Sequence, residues 1–463
     1  MKKILAILLV LTLVFALAAC GGQSSGDASG GAAAGGGAAA GGSTGGGSAG
    51  GTAPGGGTSS GGSAPGGSTS SGGAAAEKTQ PEELGFYDPD FDYTKYPRFK
   101  VAFLSMTAGE TWDVYDVAYA HWCELMNIEY THIWAPTQYS AEEFLSGMQT
   151  FIDQDYDGLI LEASNNIPRA ADILNKAGVQ WVCGLSVPRD DTGTMLHPAI
   201  GFDNYDVGVK IVDRLVQWKE EAWPDVPWEK VGMLCLDFSW NMEIHQRVVG
   251  MEDRWAELHP EFGPSNPDPS VNPKNLFIGD IATATNPDQT AAQNLTTQQL
   301  SNPGDIEVWL VATPADLYSQ GAANAAALME MTDKVCTACH GGSMLPGAWD
   351  KGVDDSWRYA LYAPQGLAGE MVVSQLWAYM SGLATPDTIY PEWVNAHDHG
   401  GDGHSYAFVM MPLNFLEKET YQEYLEWTDL YTYGAGAQGV WNYTPVTDIN
   451  LYPSRSEVPA SYK

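Results

Sequence analysis

HPAIGFDNYDVGVKIVDRL, residues 197–215, reads as a strand end, a polar turn at Asp203-Asn204 and then an amphipathic helix. An α/β pattern lies on each side of it, and each would make a small domain by itself. If Asp203-Asn204 is where the chain crosses between two lobes, the protein is a hinged clamp around a small ligand. Asp203 then caps the helix that opens the second lobe, and Asn204 faces the cleft.

Upstream, RFKVAFLSM (98–106) ends an apolar run in a small polar loop and predicts a buried strand. Residues 111–126 carry Val114, Val117, Ala118, Trp122 and Leu125 at helical spacing. IEYTHIWA (128–135), DGLILEA (157–163) and VQWVCGL (179–185) predict further strands, separated by helices over 141–153 and 168–177. Gly178 is a C-cap signal for the second of these. Downstream the alternation restarts, with helices over 207–221, 240–258, 288–300 and 315–331 and strands over 229–237, 275–282, 306–312 and 334–340. A helix over 367–380 follows, and the Pro-rich stretch 259–274 is a surface connection. Strands alternating with helices imply an α/β protein with parallel, doubly wound sheets. Ligands of such sheets bind outside the carboxyl ends of the strands.

The chain has 463 residues, room for two or three domains. Its 57 acidic against 22 basic side chains argue against nucleic acid or an anionic membrane face as partner. Solubility is the plainer account of that charge. Sixteen Trp and 22 Tyr include candidates for stacking on sugar faces, although most will be core.

The first residues read as an address and an anchor. Lys2 and Lys3 precede an apolar run over 4–17, and Leu17-Ala18-Ala19-Cys20-Gly21 resembles the lipobox of bacterial lipoproteins. That resemblance implies a signal peptide over 1–20, lipidation at Cys20 and attachment to the outer face of the cell membrane. Residues 21–80, almost wholly Gly, Ser, Ala and Thr as far as Ala76, are a flexible tether. Such a coil spans about 40 Å root-mean-square.

Taken together, the folded part resembles the type I periplasmic binding proteins of the ribose- and galactose-binding kind, receptor subunits of ABC transporters. The resemblance runs from about residue 96 to 424 and rests on ordered motifs. They are DGLIL, NKAGVQWV, IGFDNYDVG, HQRVVGMEDRW, PADLYSQGAANA, APQGLAGEMVVSQ and YAFVMMPLNFLEKETYQEY. It implies two doubly wound parallel-sheet lobes joined by three hinge crossovers, near 202–204, 363–365 and 406–411. The first lobe comprises 96–203 with 365–406 and the second 204–364 with 407–434, leaving 435–463 as a tail. It also implies a monomer that captures a small molecule, a sugar or polyol, without cofactor or chemistry and hands it to an ABC permease. A sensory role before a chemoreceptor or kinase, or a non-sugar solute, is the alternative.

Sugars need planar hydrogen-bonding groups and aromatic faces. In the first lobe Trp112 is the natural stacking platform and Asp113 the natural hydroxyl acceptor, with a first-turn core aromatic as the plainer reading of Trp112. Glu162 and Asn165 follow the third strand. Asn204 and Gln365 sit at crossovers, and Trp240 lies at the mouth of the strand ending in Asp237. Against the family pattern, its ligand Arg falls on His245, with Arg247 in the structural position. Its Asn-Asp pair falls on Ala315-Asp316, so only the Asp remains, and His340 stands where the family has a sugar-binding Asp.

Two features point elsewhere. Cys336-Thr337-Ala338-Cys339-His340 matches the c-type haem attachment pattern, but lies on a buried strand where haem would need the sheet opened. A straight strand also sends Cys336 and Cys339 to opposite faces. Six cysteines leave an odd number once Cys20 is lipidated, so complete pairing is excluded. His397, Asp398, His399, Asp402 and His404 crowd one Gly-rich loop, readable as a divalent-metal site, a lid contact or a solvated loop. An enzyme would need an activated nucleophile or paired carboxylates. There is no G-x-S-x-G, and Asp190-Asp191 and Asp354-Asp355 read as exposed loop pairs.

Overall fold

The computed structural model describes residues 78–427, apart from 106–109, 135–139, 163–165, 185–186, 191–193, 240, 266–271, 286, 354, 395–405 and 412. In chain order the first half comprises β1 (Lys100–Ser105), α1 (Glu110–Leu125), β2 (Glu129–Trp134), α2 (Ala141–Asp153), β3 (Gly158–Glu162), α3 (Ile167–Ala177) and β4 (Gln180–Gly184). The second half begins with β5 (Ala199–Gly201), α4 (Asn204–Ala222), β6 (Val231–Asp237), α5 (Met242–Leu258), β7 (Leu276–Asp280) and α6 (Gln289–Leu300). It continues through β8 (Val308–Thr313), α7 (Asp316–Leu328), β9 (Val335–Gly341), α8 (Leu345–Asp350) and β10 (Trp357–Tyr362). Then come α9 (Gln365–Met380), β11 (Phe408–Met410), β12 (Asn414–Leu416) and α10 (Tyr421–Trp427).

Two sheets carry the fold. The first has the order β2-β1-β3-β4, all parallel. The second has the order β12-β10-β9-β8-β6-β7, parallel except that β12 runs against β10. A third, two-stranded sheet pairs β5 with β11 in parallel. The chain passes between the main sheets after β5, after β10 and after β11. Helix α9 returns to pack on α1, β3 and β4, so the last helix of the chain's middle part covers the first sheet. The strand order reverses between β1 and β3 in one sheet and between β6 and β8 in the other. These are the switch points where an open parallel sheet leaves a crevice at its carboxyl edge.

The local signals behave as their chemistry requires. The Asp203 carboxylate accepts from the backbone N–H groups of Tyr205 and Asp206, capping α4. Gly178 closes α3 at φ 75°, a left-handed conformation open to glycine. In β1 the side chains alternate, Val101 and Phe103 facing one core cluster and Ala102 and Leu104 another.

Helix α1 departs from expectation. Of its expected apolar face, Ala118 and Trp122 are buried, yet Val117 is 47% exposed and Val114 and Leu125 also face solvent. The buried row is Tyr115, Ala118, Tyr119, Trp122, Cys123 and Met126. The two rows lie about a third of a turn apart, and the one bearing two Tyr and a Trp offers more apolar area to cover.

Residues 86–93, between tether and first strand, also join the core. Phe91 and Tyr93 meet Trp377 edge to face at 5.9 and 5.0 Å, and Tyr87 lies 5.5 Å from Trp122. Trp122 and Trp377 sit in the last turns of α1 and α9. This strap therefore fastens to the edge of the lobe away from the carboxyl ends of its strands.

Candidate functional site

The carboxyl ends of β1 and β3 bring Ser105 and Glu162 to one edge of the first sheet, both buried. Trp112, in the first turns of α1, is partly buried against Phe103 (6.1 Å between ring centroids) and Tyr115 (5.4 Å). The exposed Asp113 lies beside it. Beneath this wall is a group that motif reading passed over. His132 stacks on Phe103 at 4.7 Å. Its Nε2 lies 3.2 Å from Ser105 Oγ and its Nδ1 3.2 Å from Asp116, to which Tyr130 donates at 2.8 Å. Strand alternation in IEYTHIWA places Tyr130 and His132 on one face, the only sequence signal that could have found them.

Ser105, His132 and Asp116 have the connectivity of a hydrolytic triad. Ser105 is, however, 0% exposed. The contacts brace the end of β1 to α1. Burial holds His132 below its usual range, against the pull of Asp116.

The second lobe answers with a buried polar network. Arg247 Nε donates to Asn204 Oδ1 at 2.7 Å, and its Nη1 donates to the Pro314 carbonyl at 2.6 Å. Asn204 Nδ2 donates to Glu243. Glu243 also accepts from the Val187 N–H and faces Arg189, both on the segment that follows β4. One carboxylate thus joins α5, the first crossover and the first lobe's last loop. Burial pushes Glu243 up to about 7, against the lowering effect of Arg189 and Arg247. Burial also brings Arg247 down to about 10, so it stays charged at neutral pH. From the first lobe the buried Tyr115 lies within electrostatic reach of Arg247, Tyr362 and Asp316.

The remaining candidates divide by what already holds them. Asp316 accepts from Gly342 N (2.9 and 2.8 Å), Ser343 N (3.0 Å) and Ser343 Oγ (3.0 Å), and Cys339 Sγ lies at 3.4 Å. Its carboxylate therefore shapes the turn after β9. Gly341 and Gly342 occupy that turn at φ 130° and 101°, and a Cβ at Gly341 would lie 2.4 Å from Asp316 Oδ2. His245 Nδ1 lies 2.8 Å from Asp237 Oδ2. His340 packs on Phe202 at 4.3 Å, and burial with the nearby Arg247 pushes it well below its usual range. Of the expected set, the structure brings Asn204 and His340 close to Arg247, holds Asp316 in the turn after β9 and places Trp112 on the first lobe; Tyr115 was not among the expected residues. Asn165, Trp240, Cys20 and the loop from His397 to His404 lie outside the described residues, as does the side chain of Gln365.

Cys336 and Cys339 point to opposite faces of β9, into separate core clusters. All five described cysteines are free and buried. Among the described residues no group of three or more His, Cys, Asp or Glu could hold a metal ion.

Known proteins give this geometry a context. An ABC transporter periplasmic solute binding protein from Actinobacillus succinogenes, solved with bound D-allose, is similar with a TM-score of 0.53 at 15% identity. The match covers 71% of this chain and 100% of that one. LsrB from Clostridium saccharobutylicum, in complex with AI-2, reaches 0.55 at 14% identity, covering 70% and 99%. A sugar-binding protein of a sugar ABC transporter from Bacillus halodurans reaches 0.51 at 12%, covering 71% and 100%. At such identities the likeness speaks for the fold. No curated protein matches the chain. The periplasmic binding protein domain family matches residues 101–384, more than half of the sequence, and the chain belongs to that family.

Proposed function

We propose that this protein is an extracytoplasmic solute receptor of an ABC transporter. In this reading it is monomeric and held at the cell membrane through lipidated Cys20. It captures a sugar or polyol between its lobes and passes it to the permease. The observation that carries the reading is that the buried Tyr115, from the first lobe, lies within electrostatic reach of Arg247 and Asp316 of the second. The partly buried Trp112 suits the C–H face of a sugar ring, and the charged network suits its hydroxyls. The neighbour solved with D-allose supports the same ligand class.

A thermal-shift screen of the full chain tests this directly. Saccharides and polyols should raise the melting temperature, by about 2.7 kcal/mol of stabilisation at a hundredfold excess over Kd. Stabilisation by amino acids or nucleosides, with none from any saccharide, would refute the sugar reading.

A further inference from the structure

A second charged cluster lies along α4, away from the cleft. Arg214 and Trp218 are four residues apart and share one face of that helix. The face meets β10, where the Arg214 guanidinium lies 3.8 Å from the Tyr359 ring centroid and the Arg358 guanidinium 5.6 Å from that of Trp218. Phe415 of β12 borders them, 6.4 Å from Tyr359. Asn204 opens α4 and Arg214 comes ten residues later, so the cluster is about 15 Å along the helix from the Asn204–Arg247 network. Its three elements each adjoin a different crossover: α4 follows the first, β10 precedes the second and β12 follows the third.

An irregularity in β10 gathers the two cations. Trp357 stands opposite Thr337 and Tyr359 opposite Ala338, so β10 advances two residues for one of β9. In a regular strand Arg358 and Tyr359 would point to opposite faces. Arg358 is the extra residue of the bulge, which turns it to the α4 side with Tyr359. Both guanidiniums lie within electrostatic reach of the buried Cys336. A chain with 57 acidic and only 22 basic side chains thus brings two of its few cations to one spot.

The donors of Arg214 are mostly unused. Its Nη2 lies 3.2 Å from Glu417 Oε1, longer than the roughly 2.7–2.9 Å of a good charge-assisted bond. Its Nε and Nη1 are buried and have no partner among the described residues. The Arg214 side chain is 11% exposed, whereas that of Glu417 is 42% exposed and can swing outward. A planar fork built for two parallel bonds to an oxyanion therefore holds a single loose contact. Glu221, the other carboxylate within reach of Tyr359, already accepts from Gln217 at 2.9 Å. We propose that Arg214 and Arg358 form an oxyanion site between α4, β10 and β12, and that Glu417 occupies part of it until a ligand carboxylate or phosphate group displaces it. That ligand takes two parallel bonds from Arg214 and lies against the charge of Arg358.

Titration calorimetry on the full chain, at low ionic strength and without saccharide, tests this with inorganic phosphate and succinate as probes and chloride as control. At least one of the two probes should bind, phosphate alone marking a phosphoryl ligand and succinate alone a carboxylate. R214K keeps the charge but loses the fork, and should weaken that probe about ten-fold or more. R358Q should weaken it as well. E417Q removes the competing carboxylate and should tighten it about two- to five-fold. In the wild type the Arg214 Nε–H resonance, assigned by its loss in R214K, should shift on addition of the same probe. Equal binding to wild type, R214K and R358Q, with that resonance unmoved, would mean an adventitious ion only and overturn the site. Binding of neither probe, or an equal response to chloride, would overturn it too, and unchanged or weaker binding in E417Q would overturn the displacement of Glu417. The saccharide screen is independent of all these results, so failure here leaves the solute-receptor reading standing.

Discussion

At the scale of single residues, Glu243 makes the sharpest prediction about pH. Its carboxyl is raised from an ordinary 4.5 to about 7 because it is enclosed between α5, Asn204 and the segment after β4. A raised carboxyl means that the folded state prefers the protonated form. The contribution is therefore full below about 4.5 and is lost as pH rises through about 7. With the residue's partial exposure allowed for, the effect is on the order of 1–2 kcal/mol. E243Q keeps an acceptor for Asn204 and Val187 without the charge. Relative to wild type it should be more stable at pH 8 than at pH 5 by about that amount, read by urea unfolding at both pH values. An equal difference at the two values would mean that Glu243 is ionised throughout. Residue identity was legible in the sequence here, but residue state was not. Asn204 and Asp316 could be named from motifs, whereas their engagement depends on Arg247 and Ser343, distant in sequence and adjacent only after folding.

At the scale of elements, the crossing of α4 and α5 holds the polar network in place. A Cβ on Gly208 would lie 1.9 Å from the Arg247 carbonyl oxygen, and one on Gly250 would lie 2.2 Å from the Tyr205 carbonyl oxygen. Each glycine lets the other helix's backbone approach, in a reciprocal contact that backbone atoms cannot relieve by rotating. Asn204 and Arg247 ride on these helices, so separating them breaks the Asn204–Arg247 bond. G208A and G250A should each cost about 1–3 kcal/mol in equilibrium unfolding and weaken saccharide binding as well. Wild-type stability in both variants would show that the helices can part freely. These glycines are the last letters of the Asp-Asn-x-x-x-Gly and Arg-x-x-Gly motifs, so the sequence marked the positions while the helix crossing supplies their reason. The strands and helices themselves were readable because buried parallel strands are short apolar runs and the helices between them carry caps. Helix α1 misled because it is apolar on two adjoining rows, and only the position of α9 decides which row is covered. The strap at 86–93 gave no periodic signal, since its rings are placed by a loop.

At the scale of the whole molecule, the free thiols report on each lobe separately. Cys123 and Cys183 lie in the first lobe, and Cys235, Cys336 and Cys339 in the second, all buried and unpaired. Burial pushes every one of these thiols up, so each is inert until its surroundings open. No disulfide fixes either core, and stability rests on packing within the lobes and on the contacts between them. An aromatic thiol reagent should therefore label none of the five in the native protein at neutral pH and all of them in denaturant, with Cys20 blocked beforehand. The rate of labelling through local opening then measures how a ligand is held. A ligand gripped by both lobes stabilises both, and at a hundredfold excess over Kd the opening of each should fall by about a hundredfold. Cys123 and Cys183 would then be protected together with Cys235, Cys336 and Cys339. Protection of the second set alone would place the ligand on the second lobe without the Trp112 wall, and a clamp would no longer describe the protein.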